Sequence, residues 1–161
     1  MSAAGLTRTA FYRYFPDLQA VLLRRLTDVA GELQNACSKW LDPGADAVAG
    51  LLIGARELAE VYRRHGPVLL AFADAASSSP DVAAAWRTTV EGFIGPVIVR
   101  IGGLQREDAV QIEHVEQVAR ALVWTVERYL LETYGRGPGV PTEVAAETLA
   151  FIWRRTLFNT S

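Results

Sequence analysis

Hydrophobic positions recur at helical spacing along almost the whole chain, and no segment shows the sustained alternation and hairpin turns of strands. Cap, proline and glycine residues punctuate the pattern. Pro16-Asp17 ends a short helix and opens a longer one over about 17–41. Asp42-Pro43 offers an N-cap with proline at the first helical position, for a helix reaching about residue 65. Gly66-Pro67 should break it, leaving a short helix to about residue 76. Ser79-Pro80 repeats the cap-and-proline signal for a helix to about residue 101, closed by Gly102-Gly103. Pro96 should kink that helix, because its ring crowds the carbonyl of Gly92. A helix over about 113–134, a loop at 135–139 and a last helix from Pro141-Thr142 to about residue 158 complete an all-α chain.

Two of these helices are apolar on more than one side. In the helix from Glu113, Val115, Ala119, Leu122, Val126 and Leu130 share one face; Arg120 and Glu127 mark the opposite one, with Trp124 and Leu131 between and beyond them. In the final helix Leu149, Ile152, Trp153 and Thr156 line one side, and Val144, Phe151 and Phe158 another. A second apolar stripe is expected to be buried against another chain, as a four-helix interface about a two-fold axis. Trp124, Leu131, Val144, Phe151 and Phe158 are the interface candidates; central helices in a larger monomer would show the same pattern. The helix after Ser79 carries Trp86, Val90, Phe93 and Val97 at core spacing. The expected kink beside two large aromatics leaves more room than a close-packed core.

The composition adds limits. With 161 residues, half of them apolar, the chain can build a real core. A net charge of -2 and a pI near 5.7 argue against nucleic-acid binding by the body of the molecule. Lys39 is the only lysine among 16 cationic residues, which fits a G+C-rich coding bias. Cys37 is alone, so a reducing, cytoplasmic setting is expected. The N-terminal segment lacks the uninterrupted apolar region of a signal peptide, and no apolar run approaches the ~20 residues of a membrane span.

Signals for catalysis are thin. His65 and His114 lie on different helices, and Glu113-His114 with Glu116 lacks the spacing that puts two histidines on one metal. Ser77–Ser79 has no nucleophile elbow, and Gly102-Gly103-Leu104 is a helix end rather than a phosphate cradle. Acidic residues are dispersed and have nearby arginines, such as Glu57 with Arg56 or Arg64. Neither an enzyme nor a bound cofactor or metal is expected.

The first 22 residues carry the most specific pattern. Gly5-Leu6-Thr7-Arg8-Thr9-Ala10-Phe11-Tyr12-Arg13-Tyr14-Phe15-Pro16-Asp17, followed by Leu18-Gln19-Ala20-Val21-Leu22, resembles the recognition helix of TetR-type repressors. The shared elements are a glycine turn, a hydroxyl cap, an aromatic-tyrosine pair, a second aromatic and a leucine-rich following helix. In physical terms Thr7 caps a short helix, Arg8, Tyr12 and Tyr14 face one side, and Leu6, Phe11 and Phe15 can face a core. An arginine there can bridge guanine O6 and N7 while tyrosines reach phosphates. Thr7, Arg8, Thr9, Tyr12 and Tyr14 are the DNA-binding candidates. Further along, His65-Gly66-Pro67, the Trp86 helix, Val126-Glu127-Arg128 and Phe151-Ile152-Trp153 resemble the ethionamide-resistance-regulator branch of that family.

This resemblance implies a partial DNA-binding domain over 1–26 and a ligand-binding and dimerisation domain over 27–161 whose last two helices form the dimer bundle. It implies a homodimer and a small apolar effector held near Leu58, Tyr62, Trp86, Val90, Phe93, Val126 and Trp153. That effector would respace the two recognition helices and release DNA. Two departures qualify it. Leu18 stands where the family usually has a phosphate-binding lysine, which would flatten the salt dependence by roughly one unit of slope. The two helices that brace a recognition helix do not precede it here, so this chain is expected to bind operator DNA only once they are restored. Met1 falls where the family has the turn before the recognition helix, which points to a misplaced start codon, with a trimmed chain or a genuine loss as alternatives. The rival function is a dimeric small-molecule-binding module that never touches DNA.

Overall fold

A computed structural model describes the backbone of residues 16–158 and the side chains of 20–158. The DNA-binding candidates Thr7, Arg8, Thr9, Tyr12 and Tyr14 lie outside the described residues. Among the described residues there are six helices and no strand: α1 (Pro16–Leu41), α2 (Ala47–Ala76), α3 (Pro80–Glu91), α4 (Ile94–Arg106), α5 (Val115–Tyr134) and α6 (Thr142–Leu157). The all-α expectation holds.

The fold is organised on α2, which packs against α1, α3, α5 and α6. On α1, Leu26, Val29, Leu33, Ala36 and Trp40 are buried at alternating steps of three and four, the stripe that seats it on α2. Four boundaries differ from the expectations, each for a local reason. Asp42 does not start α2. Its carboxylate accepts from Gly44 N at 2.9 Å in a tight turn, while Asp46 caps the helix, accepting from Ala49 N at 2.7 Å. The intervening carbonyls serve another partner: Arg100 of α4 is buried and donates to the carbonyls of Trp40, Pro43 and Ala45 at 3.0, 3.3 and 3.0 Å.

Gly66-Pro67 does not break α2, which runs through it. The buried face continues across as Tyr62, Gly66, Leu69, Phe72 and Ala75. Burying that face outweighs the ~3 kcal/mol that an internal proline costs. Gly66 sits against the end of α5, where a Cβ would run into the Tyr134 carbonyl.

The helix expected to kink at Pro96 is instead two helices, broken at Gly92-Phe93. Pro96 becomes the third residue of α4, where a missing N–H costs nothing. Gly102-Gly103 does not end α4 either. The helix closes further on, at Asp108, whose φ of 56° is left-handed; Asp108 N bonds to Gln105 O at 3.1 Å and Ala109 N to Leu104 O at 2.9 Å. That is the paired closure normally built on glycine, which aspartate can also adopt. Ser79 does cap α3.

Candidate functional site

Between all six helices, with α4 contributing Val97, lies a cavity of about 100 Å³. Leu58 and Tyr62 line it from α2, Trp86 and Val90 from α3, Phe93 from the break after α3, Val126 from α5 and Trp153 from α6. All seven residues predicted to surround a ligand therefore meet at one void. Aromatic geometry holds its walls open. Trp40 and Trp153 pack edge-to-face with centroids 5.0 Å apart, and Trp86 stacks at 12° on Phe72 with centroids 6.5 Å apart. Such pairs resist collapse because each ring already has a preferred partner orientation. For scale, an engineered apolar cavity of about 150 Å³ stays dry and accepts benzene.

Sequence reasoning missed the contribution of α1. Leu33, Cys37 and Trp40 close one wall, and the signal was present in the α1 stripe that Trp40 ends. It also missed Glu127. The helical pattern places Glu127 on a polar face, yet it is 4% exposed and lines the cavity. Both its carboxylate oxygens lack a hydrogen-bond partner, as does Trp40 Nε1. Its nearest cation, Arg128 Nε, stands 4.0 Å from Oε2 on the solvent side. Burial pushes the Glu127 carboxyl above its ordinary range, Arg128 opposes that shift and Glu132 adds to it. Burial also raises the Tyr62 phenol, with Glu127 and Cys37 contributing. The Cys37 thiol is pushed up to about 12 by burial and then by Glu57, so it is no nucleophile.

The five interface candidates separate. Val144 and Phe151 are 47% and 53% exposed on α6, and Arg155 lies 5.6 Å over the Phe151 ring. Trp124 and Phe158 are half-buried. Leu131 is fully buried in the subunit's own core and drops out of any external stripe. The exposed apolar surface of α6 continues onto the start of α2, where Val48 is 46% exposed and shares a shallow groove with Leu52 and Phe151. The expected partners of Glu57 are also replaced: Arg56 pairs with Glu143 at 2.9 Å, and Arg64 with Glu32 at 2.8 Å.

Among the described residues no group of histidine, cysteine and acidic side chains is placed to hold a metal, and no helix is long and apolar enough to cross a membrane. The family model described as "Transcriptional regulator EthR, C-terminal domain" matches residues 53–159. Over 160 residues the chain is 29% identical to the HTH-type transcriptional regulator EthR of Mycobacterium tuberculosis, covering 97% of this chain and 74% of that protein. Identity is 24% over 161 residues to the protein of the same name from Mycolicibacterium smegmatis, covering 98% and 74%.

Proposed function

Because the chain belongs to the family of EthR transcriptional regulators, TetR-like proteins and not enzymes, we propose that its cavity is the effector site of a repressor. The observation that carries this reading is the convergence of five helices and the end of α1 on one apolar void. Helix α1 is unbroken from Pro16 to Leu41 and follows directly on the residues 1–15 proposed to read DNA. The proposed boundary between a DNA-binding part (1–26) and a ligand-binding and dimerising part (27–161) falls inside it. A ligand that pushes on Leu33, Cys37 and Trp40 therefore tilts a rigid rod whose other end leads to Thr7, Arg8, Thr9, Tyr12 and Tyr14. In a dimer, such a tilt changes the spacing of two recognition helices against successive major grooves.

The effector acts only through its differential affinity for the two arrangements. Moving a 1:99 equilibrium to 99:1 takes a preference of about 10⁴-fold. The test is a titration of the natural protein onto the DNA upstream of its own gene, with and without an apolar compound that quenches its tryptophans. Salt-dependent DNA binding that weakens as the quench saturates supports the reading; DNA binding indifferent to a saturating compound overturns it. A protein with no salt-dependent affinity for that DNA would be a small-molecule-binding module instead.

The dimer is proposed to form over α6, on Val144 and Phe151, with Trp124 and Phe158 at its edge. An exposed aromatic stripe of this kind is costly to leave in water. Phe151→Glu places a charge at the centre of that face and should convert a dimer to a monomer in sedimentation equilibrium. A dimer that survives the change places the interface elsewhere. A cytoplasmic location accompanies the DNA-binding role.

A further inference from the structure

Resting on the reading of the cavity as an effector site, we infer that the effector is a lipophilic amine, its cationic head held by Glu127 and its apolar tail filling the void. Glu127 is the one acidic group lining the cavity, and no lysine, arginine or histidine lines it. Its carboxylate oxygens are buried and unpartnered, a state that native interiors rarely tolerate without a purpose. Arg128 does not neutralise it, since the single approach is at 4.0 Å from a side chain 63% exposed. Tyr62, Trp86, Phe93 and Trp153 line the same cavity, and Tyr62 lies near enough for Glu127 to act on its phenol. A carboxylate among aromatic faces is the chemistry that recognises an ammonium group, through a charge-assisted hydrogen bond and ring quadrupoles together. An anionic ligand would meet the same acid with repulsion, and a neutral alcohol would bring one donor to two oxygens and no charge.

The probes are hexylamine, hexanol and hexanoate, which share one tail and differ in head-group charge. Binding is read by the fluorescence of the cavity tryptophans in the full chain and in Glu127→Gln, which keeps the shape and removes the charge. The amine should bind at least tenfold more tightly than the alcohol, with hexanoate weakest. In Glu127→Gln the amine and alcohol should come within about threefold of each other. Glu132→Gln, an exposed acid one turn along α5, should leave the preference intact. Thermal melts of each variant show whether it folds, and Glu127→Asp, which keeps the charge, should retain part of the amine preference. Saturable hexanol binding as tight as the amine's, or an amine preference that survives Glu127→Gln, overturns the ammonium assignment and leaves the effector site standing. No saturable response to any of the three overturns both.

Discussion

Arg100 and Glu127 are the charged side chains buried among the described residues, each about 4% exposed, and they are treated in opposite ways. Arg100 spends its guanidinium on three carbonyls where α1 turns into α2, tying α4 to that corner. Glu127 is given no hydrogen-bond partner and faces a void. Both groups cost free energy to desolvate, but only the first recovers it inside the fold. The difference separates scaffold from site: a satisfied buried charge fixes geometry, while an unsatisfied one is held ready for something that comes from outside.

Breaking the scaffold side should have the larger effect. Arg100→Met keeps an apolar stem about as long as the arginine's as far as Nε and removes all three bonds, leaving three carbonyls of the α1–α2 corner short of donors. A loss on the order of 3 kcal/mol is expected in urea unfolding at neutral pH. Because Trp40 lends its carbonyl to this cluster and its ring to the cavity wall, the variant should also weaken ligand binding. A variant as stable as the parent would mean that the corner holds without its guanidinium.

The site side predicts the opposite sign. Glu127→Met removes a buried unpartnered acid from an apolar wall and should stabilise the empty protein by about 1 kcal/mol. The gain depends on pH. The folded protein holds the Glu127 proton more tightly than the unfolded chain does, because burial raises this carboxyl. Stability from this group is therefore greatest below the unfolded value and is lost as pH rises towards the raised folded one. Arg128 and Glu132 face it from its own helix, and Tyr62 of α2 and Cys37 of α1 stay neutral through that window. Glu60, whose carboxyl is lowered by Arg63 and Thr142, slopes the other way. The difference between parent and Glu127→Met should cancel that background and grow from mildly acid to neutral pH. A difference that stays flat would show that the acid is already paired.

The contrast also explains what was legible in the sequence. The seven cavity residues were implied by the family resemblance; apolar spacing by itself put Trp86, Val90, Phe93, Val126 and Trp153 on core-type faces, because a wall that packs against several helices must repeat with the helical period. Leu131 shows the limit of that signal: one stripe looks the same whether its own subunit or a second copy covers it. Glu127 was unreadable for the same reason, since a glutamate opposite an apolar stripe ordinarily faces water. The missed boundaries share a cause too. Asp42, Pro67, Pro96 and Gly102-Gly103 carry local preferences of about 1–3 kcal/mol. Distant partners decide each position: Arg100 for the loop after Asp42, and the buried faces of α2 and α4 for the rest.

The smallest effect is the most discriminating, and it concerns Trp40. Like Glu127, its indole Nε1 is buried without a partner; like Arg100, its ring is built into the packing, edge-to-face with Trp153. Trp40→Phe trims the larger ring, which costs packing, and removes the orphaned N–H, which recovers part of that loss. The two contributions nearly cancel, and a net change below about 1 kcal/mol is expected in thermal or urea unfolding. Truncation all the way to alanine, as in Trp40→Ala, would cost about 3–5 kcal/mol. A loss above about 2 kcal/mol would put Trp40 with Arg100, as scaffold alone. A loss near zero puts its N–H with Glu127, as a polar group whose partner arrives with the ligand.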